Sequence, residues 1–225
     1  MLLVRLMWRC RPTARSRSGR GPWHHGPVQS GGAGQNWPGR EDPGPSGRLA
    51  GYQASGQAEA ADLARVVVLA QTARNPWSRS LPLHFTASAL VVHPPSERVL
   101  LRWHVRLGRW LQVGGHADPG ESDPLEIALR EAREETGLTD LVPWPDAALR
   151  HVVICAVPAS ATEPRHEHAD LRYIFATSKP AAITPENDQS PLRWLTVAEA
   201  RAAAAGNNLG DTIDRAAALL AAEPG

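Results

Sequence analysis

The distribution of apolar residues divides the chain into an irregular start and a periodic remainder. Apolar positions recur at helical spacing from Gln57 to about Ala73, where Asn75-Pro76 ends the predicted helix. Stretches rich in β-branched residues predict strands at residues 84–93, 98–103, 109–113, 149–157, 171–177 and 192–195. Gly114-Gly115 is expected to break the third strand, and further helices are predicted at about 123–136, 197–205 and 212–222. This order predicts one mixed α/β (α+β) domain without internal repeats.

The first 55 residues have a different composition. Seven arginines precede the first acidic residue, Glu41, and glycine, proline and serine lie between them. Such a composition predicts a disordered arm over residues 1–55, followed by a folded domain over residues 56–225. An organelle-targeting segment, a solvated tail and a start codon upstream of the true one are alternative interpretations of this arm.

Charge and cysteine content narrow the function classes. The 24 basic and 23 acidic residues leave a formal charge of +1, so no chain-wide field favours a nucleic acid or an anionic membrane as partner. No apolar run approaches the roughly 20 residues that a membrane-spanning helix needs. Two cysteines, Cys10 and Cys155, cannot form a disulfide framework. We therefore predict a cytoplasmic protein, monomeric or homodimeric, without a membrane or specific nucleic-acid partner.

The predicted helix at 123–136 has clear start and stop signals. Asp123-Pro124 supplies an N-cap and the favoured first-turn proline, and Gly137 supplies the C-terminal stop. Four apolar residues at helical spacing form a stripe expected to pack on the sheet: Leu125, Ala128, Leu129 and Ala132.

Three carboxylates lie beside that stripe. Glu131, Glu134 and Glu135 have i, i+3, i+4 spacing, so they share one arc and repel one another near the helix C-terminus. A solvated acidic face paired with Arg130 and Arg133 is the usual meaning of such a run. Because Arg130 to Glu134 is the weaker i,i+4 orientation, the arginines do not fully explain the cluster. A divalent cation would, since Mg²⁺ prefers a few carboxylate oxygens together with water and phosphate oxygens.

Gly115, Glu121 and the run from Arg130 to Leu138 resemble the Nudix box, G-x5-E-x7-R-E-U-x-E-E-x-G-U, where U is a bulky apolar residue. The C-terminal half matches at nine consecutive positions, with Ala132 a small residue at U. One departure is that eight residues, not seven, separate Glu121 from Arg130. The extra residue is expected at 122–124, before the helix, where it affects the placement of Glu121 and leaves the glutamates unchanged.

The resemblance extends over about residues 75–195 and is to general bacterial Nudix hydrolases. It implies a mixed sheet between helices, Mg²⁺ or Mn²⁺ as cofactor, and hydrolysis of a nucleoside diphosphate linked to another group by a metal-activated water. It also implies the metal ligands and the residue that orients them. These are Glu131, Glu134, Glu135 and the Gly114 carbonyl as ligands, Arg130 as the orienting residue, and Glu121 as a further box residue.

Several residues outside the helix are candidates for contact with the substrate or for the base. Glu134 is one candidate base, and carboxylates of a later loop, Glu163, Glu167 and Asp170, are others. His116 could donate to a phosphate or hydrogen-bond the loop. The spacing of His166, His168 and Asp170 permits a transition-metal site, although surface or substrate contacts are the commoner meaning of such a group.

The resemblance leaves the substrate open, and it leaves one rival function. The proline, tyrosine and NADH-hydrolase signatures that mark known substrate branches are missing beyond the box. An isopentenyl diphosphate isomerase would need a cysteine upstream of the box, and none lies between Phe85 and Gly114. The rival is a non-catalytic nucleotide sensor on the same domain, which the lengthened box loop would favour.

Overall fold

The computed structural model describes residues 43–161 and 163–222 of the chain. Its centre is β1 (Leu83–His93), which pairs in parallel with β7 (His166–Ala176) along nearly its whole length. The other edge of β1 is shared by two antiparallel strands, β2 (Arg98–His104) near its end and β4 (Val113–Gly115) near its middle. The remaining strands of this mixed sheet are β3 (Arg109–Leu111), β5 (Val142–Pro143), β6 (His151–Val157) and β8 (Leu192–Thr196).

Helices cover both faces of the sheet, which explains why β1 is buried at nine consecutive positions. Successive side chains of a strand point to opposite faces. Phe85 and Val91 accordingly join one apolar cluster, and Leu90 and Val92 join another. The helices are α1 (Gly44–Leu49), α2 (Gln57–Thr72), α3 (Pro124–Thr136), α4 (Val197–Ala203) and α5 (Leu209–Ala222). The first cluster contains residues of α1 to α3, and the second contains residues of α4 and α5. The predicted α/β class is confirmed.

The start of the folded part differs from the sequence prediction of an arm through residue 55. Residues 1–42 lie outside the described residues, so the arm itself stays a prediction there. Within the described part, α1 buries Leu49 in the first cluster. Arg48 donates to Asp123 from Nε at 2.9 Å and from Nη2 at 2.7 Å. Glycine- and proline-rich composition concealed this helix, because its order depends on contacts with residues far along the chain.

Two other segments are strands where the sequence predicts a break or a loop. Gly114 and Gly115 belong to β4, opposite Ser88 and Ala87 of β1. A Cβ at Gly114 would lie 2.6 Å from the Cα of Ser88, so glycine lets the two strands approach closely instead of ending the sheet. β7 begins at His166, five residues before the predicted start, because its polar residues pair with both β1 and β6. No helix within residues 43–161 and 163–222 is long and apolar enough to cross a membrane.

Candidate active site

Helix α3 has the boundaries that its sequence predicts. The Asp123 side chain accepts a hydrogen bond from the Leu125 N–H at 3.1 Å, and Pro124 occupies the first turn. Gly137 adopts a φ of 69° and donates its N–H to the Arg133 carbonyl at 2.9 Å. All four residues of the predicted apolar stripe are buried. The helix is therefore fixed at both ends and along one face, and the glutamates beside that face have a defined position.

Glu135 lies between α3 and the sheet. Its Oε2 accepts the Gly114 N–H at 3.0 Å, and its Oε1 lies 3.1 Å from Nη1 of Arg102. Only 13% of its side chain is exposed. Burial raises the pKa of Glu135 to about 7, against the opposing effects of Arg102 and the Gly114 N–H. The carboxylate is thus held in place, while its negative charge is only partly compensated.

Glu131 lies against Gly115. A Cβ at Gly115 would be 2.7 Å from the Glu131 Oε1, so the absence of a side chain there makes room for the carboxylate. Burial also raises the pKa of Glu131, although Arg130, whose Nη1 is 3.2 Å from Oε1, opposes the shift. The two glycines thus face two of the predicted metal ligands.

Arg130 connects the box helix to the loop that precedes it. Its Nε and Nη2 donate to the two oxygens of Glu121 at 2.8 Å and 3.0 Å. Nη1 donates to Glu134 at 2.9 Å, and Nη2 also donates to the His116 carbonyl at 2.8 Å. Glu134 is the most exposed of the three helix glutamates, at 55%. The orienting role that the resemblance implies for Arg130 is compatible with this set of contacts.

The segment between Glu121 and Arg130, which is one residue longer than in the box pattern, begins in the loop before α3. Glu121 nevertheless contacts both the helix and the loop. Arg130 of α3 donates to it, and its Oε2 also accepts the Asp118 N–H of the loop at 2.7 Å. Burial alone would raise the pKa of Glu121, but the hydrogen bonds from Arg130 and Asp118 lower it. In this structure Glu121 therefore interacts with Arg130 as an ionised carboxylate.

A cleft of about 730 Å³ opens beside Gly114 and Gly115. Glu163 lies on its wall and pairs with Arg106 at 3.0 Å. Asp170 is buried at its base, where it accepts from Ser88 at 2.8 Å and from Arg172 at 2.7 Å. Burial alone would raise the pKa of Asp170, but Arg172 and the hydroxyl donors hold it below its usual range. Four arginines against two carboxylates make up the charged lining, which favours an anionic occupant: Arg79, Arg106, Arg109 and Arg172 against Glu163 and Asp170.

Glu167 points away from this cleft. Its carboxylate pairs with Arg65 of α2 at 2.5 Å on the exposed surface. Of the three later carboxylates proposed from the sequence, Glu163 and Asp170 are thus brought to the cleft, and Glu167 is not.

Four histidines lie close together beside the cleft, a group that we call the histidine cluster: His84, His116, His166 and His168. The sequence prediction grouped His166, His168 and Asp170 and treated His116 separately, and it gave His84 no role. The register explains the difference, because His84 lies directly opposite His168 in the parallel pair β1–β7. Burial lowers the pKa of His116 to about 3 and that of His168 to about 4, so both are neutral near pH 7.

The donor set around α3 fits a hard divalent cation. Mg²⁺ takes carboxylate and carbonyl oxygens. The structure places Glu131 and Glu135 beside the backbone of Gly114–Gly115. Both of these carboxylates have raised pKa values because burial is not offset by enough positive charge. A cation would supply that charge.

The chain matches the model of a known protein family. The family model described as NUDIX domain matches residues 82–215, more than half of the chain, and the chain belongs to this family. The predicted membership in the Nudix hydrolases is therefore confirmed. A curated relative, the asymmetrical bis(5'-nucleosyl)-tetraphosphatase of Mus musculus, is 52% identical over 42 residues. That match covers 19% of this chain and 28% of the mouse protein, so it spans less than a third of the relative's length.

Solved structures similar to this chain include an Ap4A hydrolase of C. elegans in a binary complex. It is 19% identical, with a TM-score of 0.49, and the match covers 62% of this chain and 98% of that one. A Nudix hydrolase from M. smegmatis is 22% identical, with a TM-score of 0.45 and coverage of 63% and 88%. The E. coli dihydroneopterin triphosphate pyrophosphohydrolase is 18% identical, with a TM-score of 0.43 and coverage of 58% and 92%.

Proposed function

We propose that this protein is a Mg²⁺-dependent pyrophosphohydrolase that cleaves a diphosphate bond in a nucleoside diphosphate linked to another group. The observation that carries the proposal is the position of Glu135, buried between Arg102 and the Gly114 N–H with its pKa raised to about 7. A carboxylate that is fixed but under-compensated, beside a second one at Glu131, is what a cation ligand requires.

Glu131, Glu134, Glu135 and the Gly114 carbonyl would hold the cation. When bound, it would supply Lewis acidity toward the phosphate oxygens and lower the pKa of a coordinated water. Arg130 would keep Glu134 oriented, because the same guanidinium is anchored by Glu121 and by the His116 carbonyl. Mn²⁺ is an alternative cation, since it accepts the same oxygen ligands.

Water would attack one phosphorus of the diphosphate, the bond from that phosphorus to the bridging oxygen would break, and the other phosphate would leave with that oxygen. A carboxylate would take the proton of the attacking water. Glu134 is our first candidate, because it is the most exposed of the helix glutamates and its neighbour Arg130 holds it at 2.9 Å. Glu163 is the second, since it lies on the wall of the cleft. Asp170 is a weaker candidate, because Arg172, Ser88 and Thr86 already occupy its oxygens.

The cleft supports an anionic, nucleotide-type substrate. Arg79, Arg106 and Arg109 are among its lining residues. The mouse relative is named as a bis(5'-nucleosyl)-tetraphosphatase, so dinucleoside tetraphosphates are among the substrates to test. Against this substrate, the chain has Ile154-Cys155-Ala156 where the tyrosine of that branch is expected. A cytoplasmic location and a monomeric or homodimeric state stay predictions from the sequence.

The test is product release from a panel of compounds: nucleoside and deoxynucleoside triphosphates, ADP-ribose, NADH, dinucleoside polyphosphates and nucleotide sugars. Each is assayed with Mg²⁺, with Mn²⁺ and with EDTA. We expect metal-dependent turnover of one class, and reaction in ¹⁸O-labelled water would identify the phosphorus attacked. Glu163→Gln then tests the second candidate base, because Glu163 is not among the proposed ligands: turnover should be retained if Glu134 is the base and lost if Glu163 is. If no compound turns over but one raises the melting temperature, the sensor function replaces the hydrolase.

A further inference from the structure

The histidine cluster has an arrangement that the proposed hydrolysis does not use. The Nε2 atoms of His84 and His116 are 3.1 Å apart, and so are those of His166 and His168. One ring nitrogen from each of His84, His116 and His168 lies within 4.8 Å of the other two. The ring centroids of His116 and His168 are also 4.8 Å apart. Three segments of the fold, β1, β7 and the residue after β4, thus bring their imidazoles to one point.

Backbone carbonyls fix the tautomer of two of these rings. The Nδ1 of His84 lies 3.0 Å from the Leu81 carbonyl, and the Nδ1 of His166 lies 2.8 Å from the Pro164 carbonyl. A carbonyl only accepts, so each Nδ1 carries a proton and each neutral ring has a lone pair on Nε2. Both lone pairs face the other histidines of the cluster. An Nδ1–H bonded to a carbonyl, with Nε2 free, is the usual state of a metal-ligating histidine.

We propose that the histidine cluster is a second metal site, of the zinc type, with His84, His116 and His168 as ligands and His166 as the fourth. Imidazole suits Zn²⁺ and its neighbours, whereas Mg²⁺ and Ca²⁺ prefer oxygen. Tetrahedral Zn–N bonds of about 2.0–2.1 Å place ligand nitrogens roughly 3.3 Å apart. The two contacts at 3.1 Å already approach this spacing, and the ring nitrogens of His84, His116 and His168, which lie within 4.8 Å of one another, would have to move closer on binding.

The position of the site suggests a structural role. His116 directly follows Gly115, and its carbonyl accepts from Arg130. A bound zinc ion would tie this segment to β1 and β7, and so fix the backbone next to the helix glutamates. The site differs from the proposed magnesium site in its ligands and in its metal, so it can be tested without any catalytic assay.

The experiment uses the full chain, prepared without a histidine tag and stripped with a chelator. Zinc affinity is measured by competition with a chromophoric chelator in excess Mg²⁺, and the metal content is measured by mass spectrometry. We expect one zinc ion per chain and a higher melting temperature with zinc. His168→Gln and His116→Gln should each weaken zinc binding roughly 100-fold or more, because each removes a ligand. Two ligand variants are compared because one alone could disturb the strand.

Three controls separate the cluster from other zinc ligands in the chain. His93→Gln changes a histidine bonded to Ser96, and the double variant His24→Gln/His25→Gln removes the adjacent histidine pair near the start. The double variant Glu134→Gln/Glu135→Gln removes box ligands. All three should keep the zinc affinity of the original chain. Unchanged zinc affinity in folded His168→Gln and His116→Gln variants would overturn the proposal. So would binding of inorganic phosphate at the cluster in a chain that takes up no zinc.

Discussion

Two glutamates that are largely shielded from solvent, Glu59 on α2 and Glu135 on α3, each face an arginine. They differ in how completely their charge is compensated. Glu59 receives Arg215 at 2.6 Å and 3.0 Å, and a further bond from the Tyr52 hydroxyl. The Ser55 and Val152 N–H groups also donate to it. Burial alone would raise the pKa of Glu59, but these donors lower it to about 2.

Glu135 has fewer donors than Glu59. One amide and one Arg102 contact at 3.1 Å face it, and Arg102 is shared with Glu186 at 2.8 Å. Burial therefore dominates and raises the pKa of Glu135 to about 7. The comparison indicates that the number of donors, and not the presence of an arginine, determines whether the pKa of a shielded carboxylate is lowered or raised.

The largest expected effect is on turnover. Glu134→Gln and Glu135→Gln should each lower metal-dependent turnover by about 100-fold or more, because each removes a ligand of the proposed cation. Neither should lower the free energy of unfolding much, since each relieves repulsion at the end of α3. The measurement is kcat and KM on the substrate that the panel identifies, with urea unfolding alongside.

Glu186→Gln is the matched control for these two variants. It removes an exposed carboxylate that shares Arg102 with Glu135 and leaves all box glutamates in place. Its turnover should stay within a factor of about three of the original chain. Unchanged metal-dependent rates in both Glu134→Gln and Glu135→Gln would disprove the proposed metal site.

Glu59→Gln should act on stability instead. It leaves the Arg215 guanidinium without its carboxylate, and only 4% of the Glu59 side chain is exposed. We expect the free energy of unfolding to fall by about 2–3 kcal/mol. Arg201→Gln, which breaks the exposed pair with Asp214, should change it by less than about 0.5 kcal/mol. The free energy of unfolding is measured with urea. Similar losses in the two variants would show that the buried network contributes no more to stability than an exposed ion pair.

The contribution of Glu59 to the free energy of unfolding should decrease as the pH falls. Its pKa is lower in the folded chain, about 2 against an ordinary value of 4.5, so the folded state binds the proton less readily. The stabilisation is complete above pH 4.5 and is lost as the pH falls toward 2. The difference in unfolding free energy between the original chain and Glu59→Gln should shrink over this interval. A difference that stays constant down to the acid limit would contradict the assigned network.

Gly115→Ala should have the smallest of these effects. Its Cβ would lie 2.7 Å from the Glu131 Oε1, so the carboxylate must move. We expect turnover to fall about 10-fold, because the Glu131 carboxylate is displaced from its position while the fold is retained. Gly210→Ala is the control, because a Cβ there would meet nothing within 4 Å in α5. If both alanine variants turn over equally, the close approach of Gly115 to Glu131 is unimportant.

Helix α3 could be predicted to the residue because its information is local. The cap at Asp123, the stop at Gly137 and the glutamate spacing all lie within one helix and follow from its periodicity. The family resemblance rests on the same segment. Local patterns thus suffice to predict the helix and the spacing of its glutamates, and the role of these glutamates as ligands stays a prediction.

The histidine cluster and the network of Glu59 could not be predicted in this way. His84 and His168 are 84 positions apart, and only the parallel register of β1 and β7 places them opposite each other. Glu59 and Arg215 meet across 156 positions. The break predicted at Gly114-Gly115 was wrong for a related reason, because the closeness of β4 to β1 is a property of the pair and not of either sequence.

The loop between Gly115 and α3 bears on how such sequences are found. It holds one residue more than the box pattern, yet Glu121 reaches Arg130 with both oxygens and accepts from Asp118. The longer spacing is therefore compatible with the pairing of the Arg130 guanidinium and the Glu121 carboxylate. Searches that require a fixed spacing between these two residues will miss relatives whose box is otherwise complete.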